Sequence, residues 1–228
     1  QYAFRYPTPR PQRDVIAQLV LKYFAPARYS LGLHYYHFNQ PILPPIISNL
    51  TCEGIKGIPK KILVYLPFEE PGDVKKLIQP FNDFNFCVYT AIDDPSHEKH
   101  ISFLPFSREG FVKDLKSCSG VICNAGFTLT SEALHLGKKL LVRPLAGQIE
   151  QASNGLALQQ LHLGQVMLTL DEKVVAKWLA SPSPQPINYP EVARDVVKWI
   201  GEGMWNNTRE LVSGVWSKVD EKLFQRAV

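Results

Sequence analysis

Three neighbouring features could do chemistry together: a small-residue turn at Asn124-Ala125-Gly126, a helix expected to open at Thr128, and Glu132 in its first turns. Free amides at a helix N-terminus and the helix dipole both favour an anion. Gly126 can take φ > 0 and let the backbone come close to a ligand. A diphosphate fits such a corner. A carboxylate in the first turns is favoured by the same dipole and can accept from two neighbouring hydroxyls at once, as a ribose diol presents them. On spacing alone, Gly126 reads equally as a plain turn glycine and Glu132 as a surface acid.

Other groups are less pointed. His34 and His37 lie three apart in LGLHYYHFN. A strand would put them on opposite faces, whereas a turn could aim both into a cleft, where either could act as a base. Packing beside the neighbouring aromatics is the structural alternative. Asp93-Asp94 sits beside Pro95 in an expected turn, so no metal pair is expected there. Cys52, Cys87, Cys118 and Cys123 form no CxxC pair, which argues against zinc and disulfides and for reduced thiols in a cytoplasmic protein.

The elements that must position these residues alternate. Apolar strands are expected at Lys61 to Leu66, Phe86 to Thr90, Ile101 to Leu104, Gly120 to Asn124 and Lys139 to Arg143. Helices are expected at Asp73 to Phe81, Glu109 to Cys118, Thr128 to Leu136, ending at Gly137, and Glu150 to Leu161. This pattern implies a Rossmann-like α/β fold, a parallel sheet with helices on both faces, whose ligands bind beyond the carboxyl ends of the strands. A last strand is expected at Val166 to Leu170, then a helix from Asp171 through Leu179 and a proline-rich turn at Ser181 to Pro190. Two helices close the chain, the last with Leu211, Val215, Val219 and Leu223 on one stripe.

Before the sheet, Asp14 to Phe24 carries a helical stripe, Ser30 to Phe38 is an aromatic, strand-like run, and Gln40 to Ile47 is a stiff, proline-fixed connector. The expected division is therefore 1–49 as the end of one domain plus a hinge, 50–201 as the ligand-binding domain, and 202–228 as an amphipathic helix packing back. At 228 residues and 45% hydrophobic, the chain can bury a sizeable core. Its net charge of +4 is scattered, not clustered on one face, which argues against nucleic acid.

The segment from Asn124 to Glu132 resembles the donor loop of GT-B glycosyltransferases, including the plant and macrolide UDP-sugar enzymes and the bacterial peptidoglycan N-acetylglucosaminyltransferase. That loop has His or Arg, any residue, Gly, then Ser or Thr, and Glu eight positions after the first. Asn124, Gly126, Thr128, Ser131 and Glu132 stand in that order. The strand from Lys139 to Pro144 and the following Glu150-Gln151 with Asn154 are similar to the family's next strand and its acidic-Gln-x-x-Asn motif. The phrases HYYHF, ILPPI, LVYLP and NAGFTLTSEAL resemble those of a little-characterised bacterial and archaeal group of the same enzymes.

The resemblance implies the C-terminal half of a GT-B fold, preceded by a remnant of an N-terminal acceptor domain that begins before Gln1. It implies a metal-independent, inverting hexosyltransferase with no cofactor, which moves a sugar from a nucleoside-diphosphate sugar to an acceptor hydroxyl. Asn124, Ala125, Gly126, Phe127, Thr128 and Glu132 would hold diphosphate and ribose; Gln148, Glu150 and Gln151 the donor sugar; Phe106 and Ser107 the base; and His37 or His34 would be the catalytic base. The acceptor is open, with a lipid or cell-envelope glycan as one option, and the expected location is cytoplasmic, with peripheral contact on the inner face of a membrane as an option. Two departures stand out: Asn124 replaces the family's cation, and Glu69 and Glu70 in the turn after the first strand would repel an anion. The rival readings are a UDP-N-acetylglucosamine 2-epimerase-like enzyme and a non-catalytic nucleotide-sugar binding module.

Overall fold

The computed structural model describes Tyr23, residues 29–48, residues 57–203 and residues 205–224. Apart from Tyr23, the expected helix at Asp14 to Phe24 lies outside the described residues, as does Cys52.

A seven-stranded sheet dominates, built from β3 (Lys61–Tyr65), β4 (Asn85–Tyr89), β5 (Ser96–Glu98), β6 (Ile101–Leu104), β7 (Gly120–Cys123), β8 (Lys139–Val142) and β9 (Gln165–Val166). Its spatial order is β5-β6-β4-β3-β7-β8-β9, parallel except for β5. The six parallel strands therefore follow the doubly wound order, and the winding reverses between β3 and β7. Every residue of β7 and of β8 is buried, as a central strand covered on both faces requires.

Alternation along β3 splits the core into two layers. Ile62 and Val64 face α1 (Pro71–Ile78) and α5 (Glu172–Ala180), packing with Val74, Ile78, Val175 and Trp178. Leu63 faces α2 (Arg108–Ser117), α3 (Phe127–His135) and α4 (Ile149–Gln160), packing with Leu115, Leu134 and Leu158. Gly120 is the point of closest approach, because a Cβ there would lie 2.9 Å from the Trp178 ring. At the end of α3, Gly137 takes φ +66, the C-terminal role expected for it. Cys87, Cys118 and Cys123 are free thiols. Burial pushes Cys118 up to about 11 and Cys123 up to about 12, leaving both as inert packing groups.

Three expectations need correction. Of the run from Ser30 to Phe38, only β1 (Gly32–Leu33) is strand; Phe38 and Asn39 turn back through φ 47 and 56, which puts the rings into a packed cluster instead of on two strand faces. The proline-rich stretch is not an exposed spacer. Its β2 (Ile42–Leu43) pairs in parallel with β1, and residues 42 to 45 are buried. The last sheet strand is Gln165–Val166, not Val166 to Leu170: Met167 is buried, but Leu168 is 77% exposed.

After α6 (Val192–Gly201), the final stripe is likewise interrupted. Helix α7 (Thr208–Trp216) stops at Trp216 and a 3-10 turn, Glu221–Phe224, follows. Val215, Trp216, Val219 and Phe224 are the buried residues, and the Trp216 indole donates to the Ile42 carbonyl at 2.7 Å. Among the described residues, no helix is long and apolar enough to cross a membrane.

Candidate functional site

The reversal of winding puts the loops after β3 and β7 side by side at the carboxyl edge of the sheet, where such folds bind ligands. Strand β7 runs into Asn124-Ala125-Gly126, and α3 starts at Phe127 with Gly126 as its N-cap residue. Gly126 does not take positive φ: it sits at φ -68, ψ 136, extended backbone open to any residue. Its value is space, because a Cβ there would meet nothing within 4 Å. Among the hydrogen bonds of the described residues, none is donated by the amides of Phe127, Thr128 or Leu129, and no side chain caps them. Thr128 is exposed and Ala125 is buried.

The turn is braced from behind. Thr130 donates its hydroxyl to the Gly126 carbonyl at 2.7 Å. With that proton spent, the Tyr35 hydroxyl donates to Thr130 Oγ1 at 2.6 Å. Asn154 on α4 donates Nδ2 to the Ala125 carbonyl at 2.9 Å, leaving Oδ1 to accept from His34 Nε2 at 3.3 Å. His34, Tyr35 and Asn154 therefore brace the Ala125-Gly126 turn from the β1 side. Sequence reasoning gave Tyr35 no role; Asn154 was visible as the last residue of the acidic-Gln-x-x-Asn pattern, and it is buried with Ser153 and Gly155.

Glu132 is half-buried on α3 and its Oε1 accepts from the Ser48 hydroxyl at 2.9 Å. The carboxylate is thus held by one exchangeable hydroxyl donor. Phe106 is 53% exposed and stands edge-on to Tyr65, the last residue of β3, at 5.8 Å. The Ser107 side chain caps α2 by accepting from the Gly110 amide at 3.2 Å.

Other expected contacts are arranged differently. Asn124 is buried and donates Nδ2 to the Arg143 carbonyl at 2.9 Å, stapling the ends of β7 and β8 rather than facing the open corner. Arg143 pairs with Glu69 at 2.9 Å, so that acid carries its own counter-charge and the repulsion expected from the loop after β3 is halved. Asn124 Oδ1 and Arg143 Nε are buried without a partner among the described residues. Gln151 accepts from the Leu145 amide at 3.1 Å and donates to Gln148 Oε1 at 3.0 Å. The two glutamines therefore shape the loop after β8, and Gln151 does not turn toward Gly126. Glu150 is exposed and lines a recess of about 100 Å³ with His34, Phe127 and Asn154.

The two histidines part company. His34 stacks on Phe127 at 5.5 Å behind the corner. Its pKa is lowered to about 3, chiefly by burial, against the opposing effect of the hydrogen bond it donates to Asn154. His37 accepts from the Asn39 amide through Nδ1 and packs on Tyr36 and Trp216, toward α7. Nε2 of His34 carries the proton donated to Asn154, and Nδ1 of His37 accepts within its own turn.

The His34 shift has a sign that can be measured. In the unfolded chain the ring takes a proton near 6.5, whereas the folded chain refuses it down to about 3. Stability contributed by neutral His34 is complete above pH 6.5 and is lost as pH falls toward 3, with a slope approaching about 1.4 kcal/mol per pH unit. Urea unfolding from pH 7 to 4 should show this slope, and His34→Gln, which keeps a donor for Asn154, should flatten it. Equal slopes in both proteins would contradict the buried neutral ring.

Residues 11–182 match a family model described as Glycosyl transferase family 1. A sequence search of curated proteins gave no match. Solved structures similar to this chain include a glycosyltransferase of kitacinnamycin (16% identity, TM-score 0.49, covering 62% of this chain and 41% of that one). The calicheamicin glycosyltransferase is similar at 16% identity and TM-score 0.49, covering 74% of this chain and 50% of that one. The glycosyltransferase VinC, solved in complex with DTDP, is similar at 14% identity and TM-score 0.46, covering 89% and 50%. The chain spans half or less of the length of these three structures.

Proposed function

The chain belongs to glycosyl transferase family 1, and from that premise we propose that it forms the donor-binding part of an enzyme that moves a sugar from a nucleoside-diphosphate sugar to an acceptor hydroxyl. The observation that carries this reading is the uncapped amino end of α3 at the open Gly126 corner, beside the point where the sheet reverses its winding. The diphosphate lies against the amides of Phe127, Thr128 and Leu129. The ribose diol takes the place of Ser48 on the carboxylate of Glu132, and the base lies near Phe106.

In the reaction, the bond from the anomeric carbon to the diphosphate oxygen breaks while the acceptor oxygen forms a new bond to that carbon. Negative charge grows on the leaving diphosphate, where the first-turn amides and the dipole of α3 stabilise it in place, without reorganisation. This needs no metal at the leaving group. The acceptor's proton goes to a base on the acceptor side, and inversion follows from attack opposite the leaving group. Glu150 meets the donor sugar, a reading supported by its exposure at the start of α4.

Calorimetric titration with UDP-, GDP- and TDP-sugars tests the reading. Saturable binding of at least one is expected, and Glu132→Ala should weaken it about tenfold to a hundredfold, since a hydrogen bond to a charged group contributes about 1.5–3 kcal/mol. If no sugar nucleotide binds, or if Glu132→Ala binds as tightly as the parent chain, the proposal fails.

A further inference from the structure

A large groove lies at the other end of the sheet. It encloses about 820 Å³ between the start of β8, the edge strand β9, helix α5 and the loop at Ser181 to Pro184. That is the size of a small-molecule site. Its charge is one-sided: Lys139, Lys173 and Lys177 line it, and no Asp or Glu does.

Its donors form two tiers. At the base, Lys139 is buried and spends two of its three ammonium protons on the carbonyls of Leu179 and Ser181 at 2.8 and 3.0 Å, leaving one. Beside it, Trp178 is 1% exposed and its indole N–H, which can only donate, has no partner among the described residues. At the rim, Lys173 and Lys177 are exposed and stand one helical turn apart on α5, so their ammonium groups share a face. Three lysines with no carboxylate opposite them favour a multiply charged anion. Lysine ammonium groups bind phosphate as point charges.

We propose that this groove is a second anion site that takes a phosphate-bearing ligand, separate from the crevice at the carboxyl edge. It does not rest on the sugar-transfer reading. The shared chemistry is a phosphate group, whose source is either a free phosphate compound or the headgroup of an anionic lipid.

The test uses the whole chain at low salt, with inorganic pyrophosphate followed by calorimetry and with sedimentation on phosphatidylglycerol or phosphatidylcholine vesicles. The double variant Lys173→Glu with Lys177→Glu changes two exposed side chains, and its unfolding midpoint reports that the fold survives. The expected result is a loss of about tenfold or more in pyrophosphate affinity, in phosphatidylglycerol retention, or in both, weakening further with salt. Loss of pyrophosphate binding alone assigns a free phosphate compound; loss of vesicle retention alone assigns a headgroup. Gly126→Leu removes at most the pyrophosphate bound at the carboxyl-edge crevice, and should leave vesicle retention and a second pyrophosphate-binding component that the double lysine variant abolishes. The proposal is overturned if the parent chain binds neither probe, if the double variant binds both as before, or if Gly126→Leu removes the binding that the double variant abolishes.

Discussion

Gly126→Leu is expected to abolish nucleotide-sugar binding, by more than about a hundredfold, while the chain unfolds within about 4 °C of the parent. The backbone at φ -68, ψ 136 suits leucine as well as glycine, and a Cβ meets nothing within 4 Å, so the folded state has room for the new side chain. Leucine is a poorer N-cap residue than glycine, which costs about 1 kcal/mol, or about 2–4 °C in a chain this long. The same side chain fills the space over the amides of Phe127, Thr128 and Leu129. Each charge-assisted bond denied to a diphosphate costs about 1.5–3 kcal/mol, and losing two suffices for the stated factor. Gly126→Ala should fall between. Paired calorimetry and thermal unfolding check both halves. Undiminished binding by the leucine variant would show that the anion sits elsewhere, and a large stability loss would show that the corner is filled in the folded chain.

This prediction shows where the sequence was readable. Strands β3, β7 and β8 stand within one residue of their expected limits because a strand covered on both faces must be a continuous apolar run, a one-dimensional signal. Helix α3 was visible for a similar reason, with Gly137 marking its end at φ +66. What Gly126 contributes was misread: the residue type fits positive φ and open space equally well, and only the placement of neighbouring elements decides. Asn124, Gln151 and Arg143 share this ambiguity. Each has the donors an anion or sugar would want, yet the ends of β7 and β8 lie close enough for Asn124 to meet the Arg143 carbonyl, and Gln151 is consumed by the loop at Leu145. Contacts such as His34 with Asn154, 120 residues apart, leave no local pattern to read. The aromatic run before the sheet misled for another reason: strand propensity is mostly a statement about side-chain burial, and here the rings are buried by a turn.

Trp216→Ala should produce the largest loss of stability, about 3–5 kcal/mol, for two reasons that add. The ring is 2% exposed and packs edge-on to Phe224 at 6.1 Å and to Tyr36 at 5.8 Å, so truncation opens a cavity between α7 and the β1–β2 segment. Its indole N–H is also the donor for the Ile42 carbonyl, which would be left buried and unpaired. At about 2–4 °C per kcal/mol, the unfolding midpoint should fall by about 6–20 °C. Trp216→Phe separates the contributions, because it keeps most of the packing and removes only the donor, at about 1–3 kcal/mol. The consequence reaches the anion corner through a short chain of contacts: Trp216 holds Ile42, β2 holds β1, and β1 leads into His34, whose partner Asn154 holds the Ala125 carbonyl. Donor affinity should therefore fall in the alanine variant even at temperatures where it remains folded, and recover in the phenylalanine variant. An alanine variant that unfolds within about 2 °C of the parent would mean that α7 merely rests on the domain instead of bracing it.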